Sequence, residues 1–222
     1  MGAGRAVLLV AVCAVLSGGV CAGTRTYFLA ASCDSAVVQR DMAVVQNNSR
    51  TKIVWRTGGC EESIVNLEGE TKFLDTVYLD SEGIEVLSAV YDHARGKVYV
   101  SGRKKETFSL KDKMFEAEGI FYIFEYIHPG KGEDFVFNVL QSEGYRVVEM
   151  YLKAMDTETI DVGGKETEAF KYEMGLTGIL GATFWPHKYY YWYDADHRFL
   201  KYQGRAENGK METVERAGYA EE

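Results

Sequence analysis

The sequence predicts a mainly β chain: a curved antiparallel sheet forming a barrel or half-barrel around one main helix. Three observations carry this. Short alternating runs recur roughly every 8 to 15 residues from Thr76 onward, with hairpin-sized breaks between them. Glycine, serine and aspartate punctuate these runs as turn formers, and the chain has only 2 prolines to interrupt them. Aromatic residues, 13% of the chain, gather in the runs, where they cover half-buried pleats well.

Taken in order, Thr76 to Asp80 alternates, Ser81-Glu82-Gly83 turns, and Ile84 to Tyr91 is extended again. Ala94-Arg95-Gly96 turns into Lys97 to Ser101. After Pro129 come Phe135 to Leu140, Tyr145 to Ala154, Glu158 to Val162 and Ala169 to Met174, with Gly163-Gly164 turning between the last two. Tyr189 to Tyr193 and Phe199 to Gln203 follow, and Asn208-Gly209 marks a last hairpin. Arg216 to Glu222 reads as a loose tail. About eight to eleven strands are expected, and a sheet of that breadth curls.

One stretch has another period. Met114 to Ile127 sets Ile120, Phe121, Ile123, Phe124 and Ile127 on a helical face, with Asp112 as a cap and His128-Pro129-Gly130 as the stop. Gly119 weakens this helix by about 1 kcal/mol relative to alanine. It is expected to lay its apolar face against the concave side of the sheet.

Residues 1–22 read as an export signal, leaving 23–222 as a single β-rich domain. Arg5 precedes the apolar run Ala6 to Leu16, and Val20-Cys21-Ala22 is a small-residue cleavage pattern. The run is shorter than the roughly 20 apolar residues a membrane-spanning helix needs, and no later stretch is longer. A periplasmic or secreted protein is expected. Attachment to the outer membrane as a lipoprotein is the lesser reading, because Gly18-Gly19-Val20 before Cys21 lacks the usual lipidation pattern. Without Arg5 the balance is 24 Lys+Arg against 33 Asp+Glu, which argues against nucleic acid as a partner. Asn47-Asn48-Ser49 reads as a turn, or as a glycosylation acceptor in a host that glycosylates.

Cleavage leaves two cysteines, Cys33 and Cys60. An oxidising compartment favours joining them as a disulfide. Neither has the neighbouring cysteine or histidine that would tune a nucleophile or begin a zinc site.

The most chemically loaded stretch is "FWPHKYYYWYDADHRF", residues 184–199. As a strand it places Tyr189, Tyr191 and Tyr193 on one face and Tyr190 and Trp192 on the other, with Asp194 to His197 as the connection. His187 and His197 then lie at opposite ends of that strand, at least about 15 Å apart and too far for one metal. His93 and His128 fall in turns, where a solvated imidazole is expected. Acid pairs such as Glu61/Glu62 and Glu116/Glu118 read as solvated surface. Neither HExxH nor GxSxG occurs, and no catalytic residue, metal or cofactor is assigned. Gly175 to Trp185 carries no charge. It is read either as a core strand bent at its glycines or as an apolar flap over a cavity. On the second reading Leu176, Ile179, Leu180, Phe184 and Trp185 line a hydrophobic site, with Phe121, Phe124 and Trp192 beside them.

From Thr76 to Gly204 the order of elements resembles a family of exported bacterial proteins described only as a domain of unknown function. The likeness lies in "VYVSGRKKETFSLKDKMFEAEGIFYIFEYI", in "DTETIDVGGKETEAFKYEM" and in "GLTGILGATFWPHKYYYWYDADHRFLKYQGR". It implies a curved antiparallel sheet wrapped around helical material, similar to the lipoprotein carriers LolA and LolB, which hold acyl chains in their concavity. The family brings no catalytic motif.

The leading expectation is an exported, non-enzymatic module that binds a lipid or acyl chain in its concave sheet. The alternative is an envelope scaffold or assembly factor that binds another protein, and the outsider is a hydrolase using the His187–His197 region.

Overall fold

Among the described residues, fifteen strands follow one another edge to edge in a single sheet, and a sixteenth branches from it. The computed structural model describes residues 23–33, 36–47, 49–178, 188–205 and 210–221. The N-terminal half is a meander of hairpins: β1 (Gly23–Cys33), β2 (Ala36–Asn47), β3 (Arg50–Thr57), β4 (Cys60–Glu68), β5 (Lys72–Leu79), β6 (Glu85–Asp92), β7 (Lys97–Ser101) and β8 (Lys105–Ser109). The C-terminal half comprises β9 (Met114–Glu116), β10 (Asp134–Gln141), β11 (Arg146–Ala154), β12 (Glu158–Val162), β13 (Lys165–Leu176), β14 (Tyr189–Tyr193), β15 (Phe199–Arg205) and β16 (Met211–Glu221). β1 pairs with β16 along almost its whole length and joins the halves, so β8 and β9 form the two outer edges.

A length argument shows how far the sheet curls. Fourteen strand spacings laid flat would span about 65 Å. Yet only residues 110–113 link β8 to β9, and the five peptide steps from Ser109 to Met114 reach at most about 18 Å. The sheet therefore bends until its edges approach each other, without closing into a barrel.

Inward-facing residues alternate along the strands. Tyr27, Leu29 and Ala31 of β1, Met42 and Val44 of β2, Ile53 and Trp55 of β3, and Val65 and Leu67 of β4 all enter one buried cluster on the concave side. Residues 158–162 and 189–193 are strands with the bounds expected from sequence, and the runs after Thr76 are strands within a few residues.

Four expectations need correction. Among the described residues the strands number sixteen, because 23–68 forms four long strands and 105–109 another. The expected C-terminal tail is β16, in the middle of the sheet; its Val214 is buried on the concave side and Tyr219 packs against the same cluster. The expected long helix is broken into β9, a 3-10 turn at Ala117–Gly119 and one α-helical turn, α1 (Ile120–Ile123). Met114–Glu116 find ladder partners in Asn138–Leu140 of β10, in a parallel pairing, and this competes with helix formation there. Beyond α1, Glu125 and Tyr126 donate their N–H groups three residues back, to Tyr122 and Ile123, so the chain tightens instead of continuing as α-helix.

The fourth correction concerns the cysteines, which are both free. β2 and β3 lie between them, and the hairpin registers set Cys60 level with Leu29, four residues along β1 from Cys33. Three strand spacings, about 14 Å, exceed the roughly 4.4–6.8 Å that a disulfide spans between Cα atoms.

Gly119 is held by packing. A Cβ built there would lie 2.5 Å from Cζ of Phe73, whose ring is 1% exposed and cannot swing away. Gly119→Ala is therefore expected to destabilise the fold by about 1–3 kcal/mol despite alanine's better helix propensity, read as a lower urea midpoint. A stabilised variant would show that Phe73 yields freely.

Candidate functional site

The segment from Met114 to Ile127 crosses the concave face and fills it. Phe121 is its centre: the ring makes edge contacts with Trp55, Tyr191, Phe199 and Tyr202, at centroid separations of 5.4, 5.7, 4.8 and 5.4 Å. Phe124, fully buried, meets Phe137 at 5.7 Å and Tyr191 at 5.1 Å, both edge-on. Main-chain oxygens of the segment are met by side chains of the sheet. Trp55 Nε1 donates to the carbonyl of Glu118 at 2.9 Å, and Tyr193 Oη to that of Phe121 at 3.0 Å.

Two buried glutamates fix the segment at its ends. Glu125 Oε2 accepts from Arg25 Nη1 at 2.9 Å, while its Oε1 accepts from Tyr27 Oη at 2.5 Å and from the Phe199 N–H at 3.2 Å. Arg25 is itself only 3% exposed and also donates to Tyr126 Oη at 2.9 Å. Burial raises the Glu125 carboxyl, and Tyr27, Arg25 and the Phe199 N–H oppose it; this saturation with donors keeps the pair ionic.

Glu116, read from sequence as a solvated acid, is 0% exposed. Its carboxyl accepts from Tyr78 Oη, Tyr91 Oη and Ser142 Oγ, each at 2.9 Å, and from the Ser142 N–H at 3.3 Å. No cation contacts it among the described residues. Burial pushes it up to about 7, with the four donors holding it from rising further. Glu118 is half-buried. Glu61 and Glu62 are surface acids as expected, paired with Arg56 and Arg40.

The expected ligand-lining residues divide. Phe121, Phe124 and Leu176 belong to the concave cluster or pack against it. Trp192 lies on the opposite face with Ala169 and Leu200, under Ile160 and Val162 of the β12–β13 hairpin. Its Nε1 donates to Glu158 at 2.6 Å, and the Lys171 ammonium lies 5.1 Å from its ring. Ile179, Leu180, Phe184 and Trp185, and with them the flap and His187, lie outside the described residues.

Two of the remaining histidines hold a contact that sequence spacing did not suggest, while His93 Nε2 lies 2.6 Å from the Phe73 carbonyl oxygen. His197 stacks on His128 with centroids 3.5 Å apart, and its ring also stacks with Phe170 at 4.9 Å. The turn that aims His197 there puts it in the left-handed region, at φ 55°. Burial lowers both imidazoles; His197 lowers His128 further, while Asp194 and Asp196 act on His197 in the opposite direction. Among the described residues no three His, Cys, Asp or Glu side chains gather as a metal site.

Beyond the ends of β14 and β15, the β12–β13 hairpin, the Asp194–Arg198 turn and β16 border a cleft of about 460 Å3 with polar and apolar lining alike. Buried Leu200 forms part of its lining, and an Asp194–Arg216 ion pair of 3.1 Å, each side chain about one-fifth exposed, ties the turn to β16.

No protein-family model and no curated protein sequence matches the chain. Solved structures of similar course include the hypothetical lipoprotein YmcC from Escherichia coli K12, at TM-score 0.40 and 9% identity over 88% of this chain and 86% of that one. The MucA/MucB complex of Pseudomonas aeruginosa contributes a chain at TM-score 0.35 and 10% identity, over 90% of this chain and 52% of that one. A LolA superfamily protein from Nitrosomonas europaea aligns at TM-score 0.27 and 11% identity, over 89% and 84%. The first and last of these bear names of the kind that the sequence resemblance pointed to, a lipoprotein and a LolA superfamily protein.

The raised Glu116 carboxyl has a definite effect on stability. Because the folded state holds that proton more tightly than the unfolded chain, its contribution is fully present below the ordinary carboxylate range and is lost as pH rises through about 7. Glu116→Gln should abolish this dependence. Between pH 4 and pH 8 the wild type should lose about 3 kcal/mol relative to the glutamine variant in urea unfolding, and parallel curves would refute the assignment.

The histidine pair is expected to titrate below the ordinary imidazole value of about 6.5, followed by NMR of the ring protons. His197→Ala should return His128 toward that value; an unchanged His128 would show that its neighbour has no electrostatic influence on it.

Proposed function

We propose that this chain is an exported, non-enzymatic module that shelters a hydrophobic ligand of the acyl-chain class on its concave face. The observation that carries the reading is how the segment 117–127 is attached. It covers an aromatic concavity, yet none of its residues joins a strand ladder of the sheet. The sheet grips it through side chains: aromatic contacts around Phe121 and Phe124, two hydrogen bonds to its carbonyls, and the Glu125 network. A ligand can therefore take the place of Phe121 and its neighbours without breaking any strand pairing. The partly buried Leu176 and Tyr189 pack against the same apolar cluster, and the sequence of residues 179–187 carries no charge.

The test is solvent extraction and mass spectrometry of the purified mature protein, followed by titration of the stripped protein with cis-parinaric acid. Retained lipid, or saturable probe binding that quenches Trp55 and raises the melting temperature, is the expected outcome, since a ligand bound to the folded state stabilises it. A lipid-free extract together with no saturable binding would overturn the reading.

A further inference from the structure

The cleft lies where two strands outrun their neighbours. β13 begins at Lys165, but β14 pairs with it only from Phe170 to Met174. β16 continues to Glu221, but β15 pairs with it only from Met211 to Glu215. Between these projecting lengths the chain makes the Asp194–Arg198 turn, closed by the Asp194 N–H donating to the Arg198 carbonyl at 3.0 Å.

The walls of the cleft are strand edges. Arg216, Ala217, Gly218 and Tyr219 all line it, as do the adjacent Thr167 and Glu168. Successive side chains of a strand point to opposite faces, so the adjacent Thr167 and Glu168 border the cleft along their main chain, whereas β16 carries a register shift between Arg216 and Gly218. The hairpin register identifies the groups that point there. With Gly163-Gly164 as a two-residue connection, Val162 and Lys165 form the hydrogen-bonded closing pair, and Thr167 and Ala169 face β12 in the same way. Glu166 and Glu168 thus direct their N–H and C=O groups to the other side, along the edge that β14 leaves uncovered.

Charge narrows the occupant. Asp194 is engaged, its Oδ1 accepting the N–H groups of Asp196 and Arg198 and its Oδ2 pairing with Arg216. Glu168 and Asp196 are also at the cleft, and neither has an ion-pair partner among the described residues. The outer strand β8 offers an edge too, but it carries Lys105 and Glu106, which discourage strand addition.

We propose that the cleft receives an extended peptide segment of a partner protein, which adds as a strand to the Lys165–Ala169 edge and sets a lysine or arginine against Glu168 and Asp196. Main-chain pairing supplies the affinity, and the two acids with the apolar Leu200 supply the selection. Its lining shares no residue with the aromatic contacts of Phe121 and Phe124, so it stands or falls separately from lipid binding.

The test uses random dodecapeptides displayed on phage, selected on the full chain and counter-selected on Glu168→Pro. Proline removes a cleft-facing N–H and leaves the Lys165 and Thr167 bonds to β12 in place. Enriched peptides should carry a basic residue among β-formers, bind the proline variant at least about tenfold more weakly, and slow amide exchange at Glu166 and Glu168. Peptides that bind both proteins equally, protection of other amides, or no enrichment would overturn the proposal. If the proline variant fails to fold, Glu168→Lys with Asp196→Lys keeps the backbone and should reverse the preference to acidic peptides; an unchanged preference refutes the site. A dimer that protects the same two amides without peptide would make the occupant a second copy and refute a foreign partner.

Discussion

Two buried carboxylates nine residues apart hold this molecule together. Glu116 and Glu125 lie at either end of the segment that crosses the concave face, and each reaches strands that are distant in sequence. Glu116 gathers hydroxyls from β5 and β6 and the chain just beyond β10, whereas Glu125 gathers donors from β1 and β15. A curled sheet with two free edges has no ladder to keep it curled. Here that task falls to side chains, and only buried, fully hydrogen-bonded groups hold a geometry rigidly enough to do it.

The two anchors work by different physics. Glu125 has Arg25 as counter-charge and remains ionic, so removing either partner would leave an uncompensated buried charge. Glu116 has only neutral donors, and burial brings its protonation into the physiological range. The segment is thereby locked on the Glu125 side and sensitive to protons on the Glu116 side. Apart from the hydrogen bonds to the Glu118 and Phe121 carbonyls, its aromatic middle is held by ring contacts, the kind of surface on which one apolar group replaces another most readily.

The sheet also separates its two faces chemically. Alternation sends Tyr191 and Tyr193 into the concavity and Trp192 to the far side, where the β12–β13 hairpin folds over it. The aromatic strand thus serves two cores at once. The hairpin that covers Trp192 necessarily runs past the ends of β14 and β15, and the cleft with its exposed edges follows from that overhang. The concave face and the cleft are consequences of one strand arrangement but offer unlike surfaces, one aromatic and one bordered by Glu168, Asp194 and Asp196.

What the sequence determined by itself is local: the mainly β class, the Gly163-Gly164 hairpin with β12, the aromatic strand β14 with its two faces, and the Asp194–His197 turn. Each is written in period-two alternation and turn residues, which act over a few positions. What only the tertiary structure decided depends on partners far along the chain. Residues 114–116 become a strand because β10 offers a ladder, and Arg216–Glu221 become a central strand because β1 does. Glu116 is buried because three distant hydroxyls meet it, while Cys33 and Cys60 stay apart because two strands intervene. A carboxylate or a thiol carries no local sign of its neighbours in space, so its role is set only once the curl brings them together.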